Sequence, residues 1–493
     1  MNALPSAAVA ATDTPAWHGC IFNGEWVPGH GGSLPIHEPA TGGLLHEVSK
    51  ADLDDVAAAV AQAKQAQRAW AATPPRERAA IFHRAAQVMQ ARSAEAALLI
   101  ARETGGILPK AQREVDEAIV FYQQAAGLPL QAVGQVLPTA AGQLSLARHL
   151  PLGVVAVISP FNFPLILSLR SVAPALAMGN AVILKPDPRT PYTGGVIIAQ
   201  VLEEAGLPKG LLHVLHGDAQ IGQALVEAPD IPMIAFTGST AAGRRIGEIA
   251  GRHLKKVSLE LGGNNAVIVL DDADLDRAAS AIAFGAYLHQ GQICMATGRV
   301  LVQRSVADAL TQRLAEKARH LPVGDPVSGT VALGPIIDQR QLQRVIDIVT
   351  DSVAAGAVVE AGATNEGLFY AATVLSNVRP GMRTFDEEVF GPVVNISVFD
   401  TDEEAAEMAN HGEYGLAAGI LSASVSRAMA LGERLHTGLL HINDQTVVDE
   451  VINPFGGTGA SGNGTSVGGP ADWEQYTHWQ WLTIKNEVPQ YPF

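Results

Sequence analysis

The sequence predicts an α/β fold: a doubly wound sheet in one domain and a second α/β domain after it. Three observations predict it. Between residues 151 and 261, short apolar runs rich in β-branched residues alternate with helical patterns. From residue 262 the same alternation starts again. The length of 493 residues exceeds what one hydrophobic core serves, so two or three domains are expected. Strands that read as continuous apolar runs are buried on both faces, as in parallel βαβ units.

The elements follow in order. Residues 52–70, DLDDVAAAVAQAKQAQRAW, have an Asp-rich first turn and basic residues later, which complements a helix dipole. Helical patterns continue over 74–101 and 111–126, and QLSLARHL at 143–150 alternates as a strand. Then come the strand GVVAVISP (153–160), the helix LILSLRSVAPALAMG, the strand AVILKP (181–186) and a helix near 193–205. Strands LLHVLHG (211–217), MIAFTGS (233–239) and KVSLEL (256–261) complete the first set, the last two each preceded by a helix. The second set has a strand in NAVIVL (265–270), a helix over 273–290, a strand in RVLVQ (299–303), and further strands in VVEAG, VVNISVF and GLAAGILS. NPFGGTGASGNGTSVGGP (453–470) is too rich in glycine for helix or strand and is a long loop, a kind that is usually functional or disordered.

Composition narrows the function. Hydrophobic residues make up 47% of the chain, enough for large cores. The formal charge, 33 − 49 = −16, argues against non-specific binding to nucleic acid or an anionic membrane. No apolar run reaches the ~20 residues that span a bilayer. The two cysteines, Cys20 and Cys294, are too few for a disulfide framework and suit a reducing cytosol. The amino terminus lacks a basic region and is broken by Pro5 and Pro15, so it reads as a loose leader rather than a signal peptide. A soluble, cytoplasmic protein is expected. No metal ligand set is assigned.

Five motifs carry candidate chemistry. In FTGSTAAG (236–243), Gly238 and Gly243 flank a strand-to-helix turn where free N–H groups and Ser239 could meet a phosphate; an ordinary turn is the alternative. In ILKPDPRTP (183–191), Lys185 ends an apolar strand at the sheet's carboxyl edge, where ligands bind in such folds, or it is a solvated lysine. In SPFNFP (159–164), Asn162 either bonds its own turn or donates to a developing oxyanion. In SLELGGNNAV (258–267), Glu260 ends a buried strand, where desolvation raises a carboxyl pKa toward that of a general base, or it caps or pairs locally. In GQICMATGR (291–299), Cys294 is either a buried thiol or a nucleophile that the flanking glycines leave accessible.

Together these motifs resemble the aldehyde dehydrogenase superfamily, from about residue 20 to the end. SPFNFP, GNAVILKP, AFTGSTAAGRRI, LELGGNNAVIV, GQICMATGR, EEVFGPV (387–393) and NPFGG (453–457) occur in the family's order. The resemblance implies residue roles. Cys294 would be the nucleophile, Glu260 the base, and Asn162 the oxyanion amide. The cofactor-binding set would be Ser159, Pro160, Phe161, Lys185, Pro188, Gly238, Ser239, Gly243, Leu261, Gly262, Glu388 and Phe390. Within it, Lys185 matches the adenine-ribose contact, Glu388 the nicotinamide-ribose contact, and Gly238 and Ser239 the pyrophosphate turn. The implied cofactor is NAD, with NADP possible. The implied domains are an NAD(P)-binding domain at 20–130 and 151–261 and a catalytic domain at 262–442. An oligomerisation arm at 131–150 and 477–490 and a flexible leader at 1–19 complete the chain.

Three departures from the family pattern bear on function. Pro188 stands where an acid is frequent in NAD-preferring relatives, so a 2′-phosphate would not be repelled there, and Arg189 is close enough in sequence to help it. Phe161, before the asparagine, packs but donates no hydrogen bond. Ser466 stands about where some relatives carry a second glutamate, so proton relay would rest more on Glu260. HINDQTVVDE (441–450), NPFGGTGASGNG and THWQWLTIK (477–485) resemble the benzaldehyde and vanillin dehydrogenase subgroup. An aromatic aldehyde, benzaldehyde first, is the expected substrate, gripped by Phe163, Leu167, Ile293, Met295 and Phe455. The alternatives are a vanillin- or salicylaldehyde-type enzyme, one of broad specificity, a CoA-acylating enzyme, or a cofactor-independent cysteine esterase. A homodimer or homotetramer is expected.

Overall fold

The computed structural model describes residues 15–493. Positions 1–14 of the expected leader lie outside the described residues. The first seven-stranded sheet runs in the order Lys256–Glu260, Met233–Thr237, Val154–Ile158, Ala181–Lys185, Leu212–Val214, Ile21–Phe22, Trp26–Val27. Its first five strands are parallel and the last two antiparallel. Val154–Ile158 is the central strand and the earliest of the parallel five, with later strands winding out to both sides. The order therefore reverses at this strand, and ligands in doubly wound sheets bind at that reversal, off the carboxyl ends. Ser159, Pro186, Gly238 and Leu261 each follow one of those ends.

The second seven-stranded sheet runs Val358–Ala361, Thr373–Ser376, Val393–Phe399, Thr297–Gln303, Asn265–Val269, Ala417–Leu421, Leu439–Ile442. Only the Val358–Ala361 pairing is antiparallel. A three-stranded antiparallel sheet joins Gly134–Val136 and Gln143–Pro151 to Thr477–Lys485. Buried side chains form separate clusters around the two large sheets.

The helical patterns form with three differences from the sequence reading. The stretch 74–101 is two helices, Pro75–Ala91 and Ser93–Thr104, because Arg92 leaves helical geometry at φ −97°, ψ 9°. The helix expected near 193–205 opens as a wider turn, Tyr192–Val196, before Ile197–Glu204. The helix expected over 273–290 spans Leu275–Tyr287 and then turns sharply, with His289 and Gln290 at φ 49° and 56°. Left-handed backbone is costly for residues with a Cβ. Here it is held from outside: the Gln290 amide donates to the carbonyls of Gly105 (2.9 Å) and Pro335 (2.8 Å). The turn redirects the chain toward Cys294.

Candidate active site

Two sheet edges supply the site. Asn162 lies in the turn between the strand Val154–Ile158 and the helix Pro164–Ala177, at the carboxyl edge of the first sheet. Cys294 precedes the strand Thr297–Gln303, at the amino edge of the second. The Asn162 amide ties the edges together by donating to the Gln292 carbonyl at 2.9 Å, while within the second edge the Asn265 amide donates to the Cys294 carbonyl at 2.8 Å. A primary amide has two N–H groups. The Asn162 amide places one on Gln292 and keeps the other beside the cavity that Asn162 and Cys294 both line.

That cavity has a volume of about 290 Å³. Phe163, Leu167, Ile293, Met295 and Phe455 all line it, as does Arg170. Phe455 arrives from the glycine-rich loop, anchored by reciprocal backbone bonds of 2.8 Å with Val467. Ile293, Met295 and Phe455 also belong to a small buried cluster, so they serve as core and as wall at once.

Burial raises the Cys294 thiol pKa to about 12. The Glu388 and Glu260 carboxyls add to that rise, while the Arg170 guanidinium and the Met295 N–H oppose it. Such a thiol is almost wholly protonated at neutral pH and attacks only once its proton has been removed. Glu260 ends its strand 4% exposed, and neither carboxyl oxygen has a hydrogen-bond partner among the described residues. Desolvation holds its pKa well above the usual carboxylate value, with Arg170 opposing. The backbone fixes Glu260 firmly: its carbonyl accepts from Gly238 N at 3.0 Å, and Leu261 N donates to Ser461 O at 2.9 Å.

The residues expected to hold a dinucleotide ring the same edge. Ser159 is buried and bonds Ser168 at 2.7 Å between hydroxyls; Pro160 follows it into the asparagine turn. Phe161 meets Phe390 edge to face, with centroids 5.9 Å apart. Gly238 and Ser239 form the turn into the helix Thr240–Arg252, whose amino end Ser239 caps by accepting from Ala242 N. Gly243 lies under Leu261, where a Cβ would come within 2.3 Å of a leucine methyl. Glu388 accepts from Gly263 N at 3.1 Å, and a Cβ on Gly262 would sit 2.3 Å from a Glu388 oxygen. Only glycine lets that carboxylate approach. Burial raises the Glu388 pKa to about 7.

Lys185 is buried, with its ammonium on Pro186 O at 3.2 Å among the described residues. A buried ammonium with unused donors fits a hydroxyl-bearing ligand. The helix amino end fits a phosphate, and the Glu388 carboxylate fits hydroxyls. The donor set thus suits a dinucleotide.

The sequence reading missed several groups. Pro188 carries no charge, but the neighbouring Asp187 does. Arg189 forks onto Asp187 (2.8 and 2.9 Å), reaches Asp338 at 2.7 Å and stacks 4.0 Å from the centre of the Phe161 ring. The expected help from Arg189 for a 2′-phosphate is therefore corrected: its guanidinium is already engaged by two carboxylates. Arg170 was missed although it is the only charge in the helix PLILSLRSVAPALA. Its guanidinium pairs with Asp449 and stands 4.4 Å from the centre of the Phe455 ring. A lone arginine in a buried apolar helix was the available signal. Asp472, buried and raised to about 7 by desolvation, gave no comparable signal in its sequence surroundings.

The model of the aldehyde dehydrogenase family matches residues 26–482. The chain belongs to the aldehyde dehydrogenase family. It is 54% identical over 482 residues to a vanillin dehydrogenase of Amycolatopsis sp. (strain ATCC 39116 / 75iv2), covering 98% of this chain and 99% of that protein. It is 49% identical, with the same coverage, to the benzaldehyde dehydrogenase [NAD(+)] of Pseudomonas putida. Among solved structures, an NAD-dependent aldehyde dehydrogenase from Sinorhizobium meliloti superposes with a TM-score of 0.93 at 34% identity, over 97% of this chain and 96% of that one. This aldehyde dehydrogenase thus shares its fold with that structure over nearly its whole length.

Proposed function

We propose that this aldehyde dehydrogenase oxidises an aromatic aldehyde, benzaldehyde or a ring-substituted relative such as vanillin, to its carboxylic acid with NAD+ and water. One observation carries the reading: a cavity of about 290 Å³ holds Cys294 and Asn162 on one wall, amid aromatic and aliphatic side chains. Its size is near the lower end of small-ligand pockets, ~300–1,000 Å³. The substrates named in the vanillin and benzaldehyde dehydrogenases support the ring, and the NAD(+) of the second supports the cofactor.

The chemistry follows from the residues. The thiol proton of Cys294 passes through water to solvent, which leaves Glu260 ionised for the later step, and the Cys294 sulfur attacks the aldehyde carbon. The carbonyl oxygen becomes an oxyanion that the free Asn162 N–H stabilises. NAD+ held at this edge would supply the hydride acceptor for that carbon, so that oxidation leaves a thioester on Cys294. Glu260 then draws a proton from water, hydroxide adds to the thioester, and the Cys294 sulfur leaves as the acid forms. Lys185, Ser239, Gly238 and Glu388 would hold the dinucleotide, Glu388 as acceptor for ribose hydroxyls. Phe163, Leu167, Ile293, Met295 and Phe455 exclude water and orient the ring.

The three-stranded sheet presents Trp479, Trp481 and Ile484 to solvent, which favours association of copies as a dimer or tetramer. Among the described residues no helix is long and apolar enough to cross a membrane. The free state of Cys20 and Cys294 suits a cytoplasmic setting.

The test is a panel of aromatic and aliphatic aldehydes with NAD and NADP at matched concentrations. Preference for aromatic aldehydes with NAD is expected. No reduced cofactor from any aromatic aldehyde, or acid release that needs coenzyme A, would overturn the reading.

A further inference from the structure

The turn that carries Asn162 is gripped by an ion pair on another helix, whose two residues also reach the wall of the cavity. Lys110 and Glu114 lie one turn apart on Leu108–Gly127, bonded Nζ to Oε2 at 2.7 Å, with side chains 1% and 0% exposed. Each also reaches across to the asparagine turn. Lys110 Nζ donates to the Asn162 carbonyl at 2.7 Å and stands 4.1 Å from the centre of the Phe163 ring. Glu114 Oε1 accepts from Leu165 N at 2.8 Å and from Ile166 N at 3.4 Å. The helix Pro164–Ala177 has no side-chain cap of its own, and Pro164 has no N–H to satisfy. Glu114 is therefore its cap, supplied from a distant segment, with a carboxylate at the positive end of the dipole. His289 completes the surroundings, edge to face with Phe163 at 5.5 Å.

Buried ion pairs are poor stabilisers, because apolar residues of similar volume do as well or better. A fully buried pair that bonds both sides of one turn is better explained by geometry. Asn162 has two restraints: Gln292 O holds one amide hydrogen, and Lys110 holds the residue's carbonyl. With both in place the second amide hydrogen has one direction left. We propose that Lys110 and Glu114 are positioning residues for this reaction, which fix the Asn162 amide toward the oxyanion formed at Cys294. The inference rests on the oxyanion role given to Asn162 above.

The test is a double-mutant cycle read as the first-turnover burst of NADH. A second readout needs no cofactor: the burst of 4-nitrophenolate from 4-nitrophenyl acetate, whose acylation of Cys294 passes through the same oxyanion. Lys110→Met alone leaves Glu114 buried without its cation, so Lys110→Met/Glu114→Met is made beside it to keep an apolar filling that folds. Misplacing a catalytic group by about 1 Å can cost ~10²-fold, and losing an oxyanion donor ~10²–10³-fold. The methionine pair is therefore expected to slow both bursts by about 10-fold or more, with KM for the aldehyde changed much less. In an Asn162→Ala background the same pair is expected to slow them less than about 2-fold, because sites that act as a unit are not additive. An equal slowing in both backgrounds, or none in either, overturns the positioning role. An Asn162→Ala burst as fast as that of the unaltered enzyme overturns the oxyanion role itself, a result distinguishable from the other two.

Discussion

Replacing Glu260 by glutamine separates two consequences of its burial. The two side chains are nearly equal in shape, and neither carboxyl oxygen has a partner to lose among the described residues. The first consequence is kinetic. Without a base at this position the thioester on Cys294 waits for unaided water, and general-base catalysis contributes ~10²–10⁴-fold. Stopped-flow mixing with benzaldehyde and NAD+ should show a burst of NADH near one per active site, then a steady rate reduced by about that factor.

The second consequence is thermodynamic. A carboxyl whose folded pKa is raised does not affect stability below its unfolded value, where it is protonated in both states. Above that value the folded state holds back a proton the unfolded state releases, so stability falls as pH rises. Each pH unit between the ordinary value of 4.5 and the raised folded value costs about 1.4 kcal/mol. The glutamine enzyme should therefore melt at the same temperature as the unaltered one below pH 4.5, and higher than it by a margin that grows with pH until the raised folded value is passed. A steady rate left intact removes Glu260 from the base role. Melting differences that do not change with pH refute the desolvation argument.

Four further outcomes test other parts of the site. Cys294→Ala should abolish aldehyde oxidation while NADH binding, followed by fluorescence, stays within about twofold. Because Glu388 titrates near pH 7, the cofactor should bind more weakly as pH falls below that value, and Glu388→Gln should flatten the dependence in the same titration. Arg170→Met removes a cation that favours ionisation of both Glu260 and Cys294, so the pH–rate profile should shift to the alkaline side, with aldehyde turnover from pH 6 to 10 as the check. Trp481 is 73% exposed, and covering such a ring in a subunit contact is worth about 3–4 kcal/mol; Trp481→Glu should lower the mass found by light scattering.

The parts legible in sequence were those written in local pattern. Val154–Ile158, Ala181–Lys185 and Met233–Thr237 are unbroken apolar runs, so their strands were recognisable, and the parallel sheet with them. Cys294, Glu260 and Asn162 stood in short motifs whose joint order carried more than any one of them. What escaped was decided by contacts between distant segments. Nothing around Lys110 hints that it meets Asn162, 52 positions away. The left-handed turn at His289 and Gln290 is stabilised by carbonyls at positions 105 and 335, so no local propensity could announce it. Arg189 looked available beside Lys185 because its second carboxylate, Asp338, lies 149 positions along the chain.

The glycine-rich loop and the final strand give the chain a definite order of completion. Phe455 walls the cavity, Ser461 and Gly462 back the end of the Glu260 strand, and Thr477–Lys485 closes onto Gln143–Pro151. On the ribosome, at ~5–20 residues per second, every strand of both large sheets has been made before any of these segments emerges. A nascent chain can therefore assemble its framework while Cys294 still lacks Phe455 across the cavity. Cys294 therefore gains the wall that Phe455 provides only after the strands of both large sheets have been made.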